Sequence, residues 1–244
     1  MYVDGFRIRV VEKLRLPSFD ERFKAINEAY WNTFLLRNKY VFIDILTDSG
    51  VNAMTDRQVA AMITAQDSYA GSETFYEFVK AVEDVLGYKY VLPTHQGRAA
   101  EHLLAKAFIK EGHVIPMNYH FTTTKVHFEL AGGQVLELYI DEALNTESNH
   151  PFKGNMDPEK LKEAIRKYGP EKISFVRMEA ATNLIGGQPF SMENLRTVKE
   201  ICDEHGIPLV LDGSMIDWNA YLIKQRESDY RNKSVAEIVR EMCS

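Results

Sequence analysis

From Tyr88 onward, short apolar runs alternate with amphipathic stretches, and this alternation limits the fold more than any other feature of the chain. "YKYVLP" reads as a strand and "GRAAEHLLAKAFIKEG" as a helix; "HVIPM" is a short strand, and a helix begins within "TTTKVHFELAGG". "QVLELYI" is a strand, and "DPEKLKEAIRKYG" a helix with Asp157 before Pro158, a cap followed by a proline start. "KISFVRMEAA" predicts a strand, "SMENLRTVKEICDEHG" a helix closed by Gly206, "IPLVLD" a strand and "SVAEIVREM" a last helix. Strands separated by helices imply an α/β architecture with a mostly parallel sheet. The first fifty residues are less regular. An amphipathic "FDERFKAINEAYW" suggests an arm or short helix, and "KYVFIDILTDSG" a strand that ends in turn residues. "TDRQVAAMITA" predicts a helix capped by Thr55, and "TFYEFVKAVEDVLG" one stopped by Gly87. The expected division is residues 1–50 as arm and first strand, and residues 51–244 as part of one large α/β domain.

Composition narrows the function classes. With 45% hydrophobic and 26% charged residues, 244 residues can bury a full core. A formal net charge of −6 argues against a general nucleic-acid binder, which carries a basic face. Cys202 and Cys243 lack metal-type spacing and fit reduced thiols. The N-terminal "MYVDGFRIRVVEKLRL" mixes charge through its apolar residues, unlike a signal peptide, and no run reaches membrane-span length. A soluble, cytoplasmic protein with no membrane partner is the expectation.

In parallel sheets, ligands collect beyond the carboxyl ends of the strands. Four polar stretches follow strands here: Thr94–Arg98, Asn118–Thr124, Asn183–Gln188 and Asp212–Met215. A helix starting at Gly97 offers free N–H groups at the positive end of its dipole, where a phosphate fits, with Gln96 and Arg98 beside it. The plain alternative is an ordinary polar turn. No G-x-x-x-x-G-K-[ST] loop is present, which disfavours a nucleotide site. Phe121 is placed to cover a flat ring or to serve the core. Asn183 precedes a Gly-Gly turn, where its amide suits either a ligand oxygen or turn geometry. Asp212 ends a buried strand, where a carboxylate either keeps a ring nitrogen protonated or starts an Asx-turn. Together these residues describe a site for a phosphorylated, flat, nitrogen-containing ring.

"LTDSG", "YAGS", "PTHQGR", "FTTT", "NLIGGQP" and "NAYLIKQRE" stand in one order and at similar intervals, and in this the chain resembles the β-eliminating lyases. That family comprises tyrosine phenol-lyase and tryptophanase, which use pyridoxal 5′-phosphate (PLP), and the likeness is to its N-terminal part. The resemblance implies the large domain of aminotransferase fold type I, incomplete here. It implies Gln96, Gly97 and Arg98 as the phosphate cradle, Phe121 stacked on the pyridine, and Asp212 as the partner of the ring nitrogen. Asn183 would hold the ring's 3-oxygen and the substrate carboxylate, and Thr47 would be a second carboxylate contact. Tyr69 would be the general acid toward the leaving group. Gly50 and Asp67 would face a potassium ion. Two departures stand out. Met215 occupies the place of an arginine, and the family's Schiff-base lysine lies beyond "EMCS"; neither Lys224 nor Lys233 matches it, and both read as solvated. The implied protein is an oligomeric carbon–carbon lyase acting on an aromatic amino acid and completed by a C-terminal chain that carries the lysine. Thr122 in "FTTT" favours a tyrosine-like substrate. The alternative is a non-catalytic paralogue that binds PLP or a partner.

Overall fold

The computed structural model describes residues 15–44 and 54–244. The chain divides into two compact units, residues 1–65 and 66–244. In the first, α1 (Phe19–Glu28) opens with a capping box in which Ser18 and Glu21 satisfy each other's backbone N–H groups. α2 (Asp56–Thr64) opens the same way with Thr55 and Gln58, as its sequence predicts. The strand expected over "KYVFIDILTDSG" does not form in the described part: Asn38–Tyr40 is a 3-10 turn, and residues 45–53 lie outside the described residues.

The second unit begins with α3 (Glu73–Leu86), terminated by Gly87 at φ +89°. The strand expected at "YKYVLP" is absent. Tyr90 and Leu92 are exposed and no strand among the described residues pairs with the segment, and an extended run without a ladder partner is not a strand. α4 (Gly97–Phe108), β1 (Val114–Met117), α5 (Thr122–Leu130), β2 (Gln134–Glu137), α6 (Pro158–Tyr168) and β3 (Val176–Glu179) then follow. α7 (Met192–Glu204), β4 (Leu209–Asp212), α8 (Ile216–Arg226) and α9 (Val235–Met242) complete the unit. The four strands are parallel in the order β2-β1-β3-β4, with Glu179 in register with Asp212.

Strand periodicity sorts the side chains between two faces. Val176 and Met178 join the larger core, which takes in residues of α6, α7, α8 and α9. Phe175, Ile115 and Met117 pack with Ala105 and Phe128 of α4 and α5 on the other face. Each of the large apolar side chains here is fully buried and contributes about 1.5–3 kcal/mol. Arg177 and Glu179 have the parity of Phe175 and Asp212 is in register with Glu179, so these charges stand on the α4–α5 face.

Cys202 in α7 is fully buried, and burial, with the nearby Asp203 carboxylate, pushes its thiol up to about 12. Iodoacetamide at mild alkaline pH is therefore expected to leave Cys202 unmodified in the folded protein and to label it after denaturation, as read by peptide mass spectrometry. Labelling of Cys202 in the folded state at the rate of a free thiol would contradict its packing.

Candidate active site at the carboxyl edge of the sheet

The helices divide by how their first turns are satisfied. Side chains of Ser18, Thr55, Asp157, Ser191 and Ser234 cap α1, α2, α6, α7 and α9. α4, α5 and α8 start at Gln96, Phe121 and Met215 with no side-chain cap, as does α3. α5 and α8 leave the carboxyl ends of β1 and β4 directly. α4 feeds the amino end of β1, and Ser174, just before β3, bonds the carbonyl of Phe108 at its far end. Its N-terminus therefore points to the same carboxyl edge. Three uncapped, positively polarised helix starts converge on one edge of the sheet.

The side chains implied by the motifs are distributed along this edge. Gln96 and Arg98 are exposed, and the space where a side chain on Gly97 would project is open. Phe121 is half-buried and Thr122 exposed at the start of α5. In the same turn Thr123 Oγ1 is buried without a hydrogen-bond partner. Asn183 is exposed and begins a 3-10 turn (Asn183–Ile185), after which Gly186 and Gly187 take φ +87° and +67°, angles that exclude most side chains. Met215 is half-buried, and its methyl group approaches Gly187.

Asp212 has a fixed environment. Its Oδ2 accepts from Arg177 Nη2 at 2.5 Å, and its Oδ1 accepts from the Ser214 N–H at 3.0 Å. Burial acts to raise its pKa, but the Arg177 charge and the Ser214 bonds outweigh burial and hold the carboxyl below its ordinary value. The side chain keeps 23% of its surface open, against 2% for Arg177. Behind it, Glu179 Oε2 accepts from both terminal nitrogens of Arg177, at 3.2 and 3.3 Å. Glu179 Oε1 accepts from the backbone N–H of Asn183 at 3.0 Å.

Two buried asparagines secure the segment that carries Asn183. Asn118, just past β1, donates to the carbonyls of Gly154 and Glu179 and to Thr182 Oγ1, and accepts from the Glu179 N–H. Asn219 of α8 accepts from the N–H groups of Ala181 and Phe190 and donates to the Phe190 carbonyl. Ala181 sits at φ +51°, a strained angle for alanine that these contacts maintain. The sequence does not single out Arg177, Glu179 or Asn219, and it marks Asn118 only as the start of a polar stretch.

Other expected residues lie elsewhere. Tyr69 and Asp67 are exposed in the loop between α2 and α3, and the structure does not bring either against the strand-end groups. Thr47 and Gly50 are outside the described residues. Lys224 and Lys233 are not merely solvated, as their sequence suggests. Lys224 Nζ donates to the carbonyls of Arg231 and Lys233, and Lys233 Nζ pairs with Glu241 at 2.6 Å.

The sequence model of the β-eliminating lyase family matches residues 44–244. The chain belongs to this family. It is 47% identical over its whole length to a tyrosine phenol-lyase of Symbiobacterium sp. and 45% identical to one of Nostoc punctiforme. These matches cover 53% and 52% of the two relatives, so the chain spans about half the length of the curated proteins it resembles. Among solved structures, an aspartate aminotransferase tetra mutant of Thermus thermophilus aligns with 64% of this chain and 41% of its own. The TM-score is 0.48 and the identity 21%. The described residues form an α/β unit around a four-stranded parallel sheet, and PLP is the cofactor of the β-eliminating lyase family to which the chain belongs. No helix among the described residues is long and apolar enough to cross a membrane.

Proposed function

We propose that this chain forms the phosphate and ring contacts of a PLP site in a carbon–carbon lyase that removes an aromatic group from a tyrosine-like amino acid. A further segment, on this polypeptide or another, supplies the lysine that bonds the cofactor. The observation that carries this reading is the convergence of uncapped helix starts with an ionised, partly open Asp212 at one sheet edge. The donor set fits the group. Free N–H groups at Gly97 and Arg98 suit a phosphate, the Phe121 ring suits a flat heterocycle, and Thr123 Oγ1 lacks a partner. Asp212 would pair with the ring nitrogen, and Asn183 would orient the 3-oxygen and the substrate carboxylate. PLP, when bound, supplies an electron sink for the α-carbanion.

The remaining assignments concern the residues that face substrate. Thr47 would hold the carboxylate from its second side, and Thr122 would border the side-chain pocket. Tyr69 would deliver its phenolic proton to the ring carbon of the leaving group as the carbon–carbon bond breaks. The exposed position of Tyr69 means that its approach to substrate depends on the completed assembly. Gly50 and Asp67 would offer a carbonyl and a carboxylate to a potassium ion. The working protein would be a cytoplasmic homo- or hetero-oligomer.

The test is reductive trapping. PLP is added to the purified chain, borohydride follows, and lysine adducts are mapped by mass spectrometry, with and without the segment that completes the lyase. The expected result is no stoichiometric adduct on the chain alone and one adduct, on the added segment, in the assembly. A single stoichiometric adduct on a lysine of this chain would overturn the reading.

A further inference from the structure

Arg177 and Glu179 lie in the interior strand β3, two residues apart and on one face. Both are almost fully buried, and buried charges persist only when paired and hydrogen-bonded. Here the pairing continues outward in two directions. Arg177 Nη2 reaches Asp212, and Arg177 Nη1 donates to the Tyr119 carbonyl at 3.3 Å. Glu179 reaches the Asn183 N–H through the oxygen that Arg177 leaves free. Every side-chain contact described for Glu179 is one in which it accepts, which fits the ionised carboxylate.

The geometry points to Arg177 and Glu179 as positioning residues that join the charge of Asp212 to the placement of Asn183 through one buried ion-pair relay. The inference rests on the proposed reading of Asp212 and Asn183 as cofactor contacts and adds what controls them. One guanidinium between two carboxylates leaves the cluster with one net negative charge. Arg177 alone would neutralise Asp212 and weaken its hold on a protonated ring nitrogen. Glu179 shares the guanidinium and leaves Asp212 effectively anionic on its open side. Glu179 also holds the backbone of Asn183, so ring charge and amide position depend on one side chain.

Two substitutions at Glu179 separate these roles. Glu179→Gln keeps an oxygen for the Asn183 N–H and removes the charge. Glu179→Asp keeps the charge and shortens the reach. The complete lyase assembly, loaded with PLP isotopically labelled at the ring nitrogen, is measured by nitrogen NMR at neutral pH, and PLP affinity is titrated in parallel. Glu179→Gln is expected to move the ring-nitrogen signal from the protonated toward the neutral position. Glu179→Asp is expected to leave that signal in place and to weaken PLP binding by roughly tenfold, the scale seen for outer-shell partners of metal ligands. Asp212→Asn serves as the reference. If it leaves the signal unmoved, the assignment of Asp212 itself fails. If it moves the signal while a folded Glu179→Gln protein keeps the wild-type position, the relay is overturned and Asp212 stands. Should Glu179→Gln not fold, the aspartate variant decides: an unmoved signal with weakened binding supports the relay, and unchanged binding overturns it.

Discussion

An Arg177→Met variant is expected to lose about 3–5 kcal/mol of folding stability at neutral pH, measured by urea titration, because breaking a buried pair strands its partners. Methionine matches the length of the arginine stem, so lost volume is a small part of the effect. The cost arises at Glu179 and Asp212, whose carboxylates would face each other across the strand pair with no cation between them.

The pH dependence carries a definite sign. In the natural protein the Asp212 carboxyl lies below its ordinary value, so its stabilisation is present above the unfolded-state pKa and is lost as pH falls through the folded one. Glu179 is shifted the other way: burial raises it, and Arg177 and the Asn183 N–H only partly offset that rise. Without Arg177, burial dominates at both groups and each folds more readily when protonated. The stability gap between wild type and variant should therefore be widest near pH 7 and narrow as pH falls toward about 4, the ordinary carboxylate range. Adding Glu179→Leu should recover part of the loss, since it removes one stranded charge. A loss below about 1 kcal/mol, or a gap that widens on acidification, would mean that the cluster is not held as the structure shows.

Most strands and helices after residue 96 are legible because their signals are local; α8 (Ile216–Arg226), whose polar and apolar residues show little periodicity, is the exception. Asp157 before Pro158 caps α6, and the apolar runs of β1 and β4 stop at polar turns. The strand expected at "YKYVLP" failed because apolar character does not supply a ladder partner. The edge itself was found by combining strand ends, which needs only the rule that ligands gather there. Its support was not found. "FVRMEAA" contained a signal, since an arginine and a glutamate at alternate positions of an interior strand must be paired within the protein. Their partner Asp212 lies 35 residues beyond Arg177, and sequence alone does not show which strand comes to lie beside which. Asn118 and Asn219 were less visible still, because asparagine after a strand or within a helix reads as turn chemistry or as a solvated position.

Asn118→Ala is expected to destabilise the protein by about 3–5 kcal/mol, an effect confined to positions where several buried groups lose partners together. Asn118 is 1% exposed and uses both ends of its amide, with three contacts from Nδ2 and one to Oδ1. Alanine would leave the Glu179 N–H and the carbonyls of Gly154 and Glu179 without this partner in a space too closed for ready hydration. Each stranded group costs about 1–3 kcal/mol, and relaxation of the segment recovers only part of the sum. The position also matters for function. The Glu179 backbone that Asn118 holds on both sides carries the carboxylate that orients Asn183. Loss of stability should thus be accompanied by faster amide exchange across residues 179–190, which hydrogen-exchange mass spectrometry would read directly. Asn149→Ala, at an exposed position, is the matched control and should stay within about 0.5 kcal/mol of wild type. Equal effects at the two positions would mean that the Asn118 amide does not brace this segment, and the placement of Asn183 would need another support.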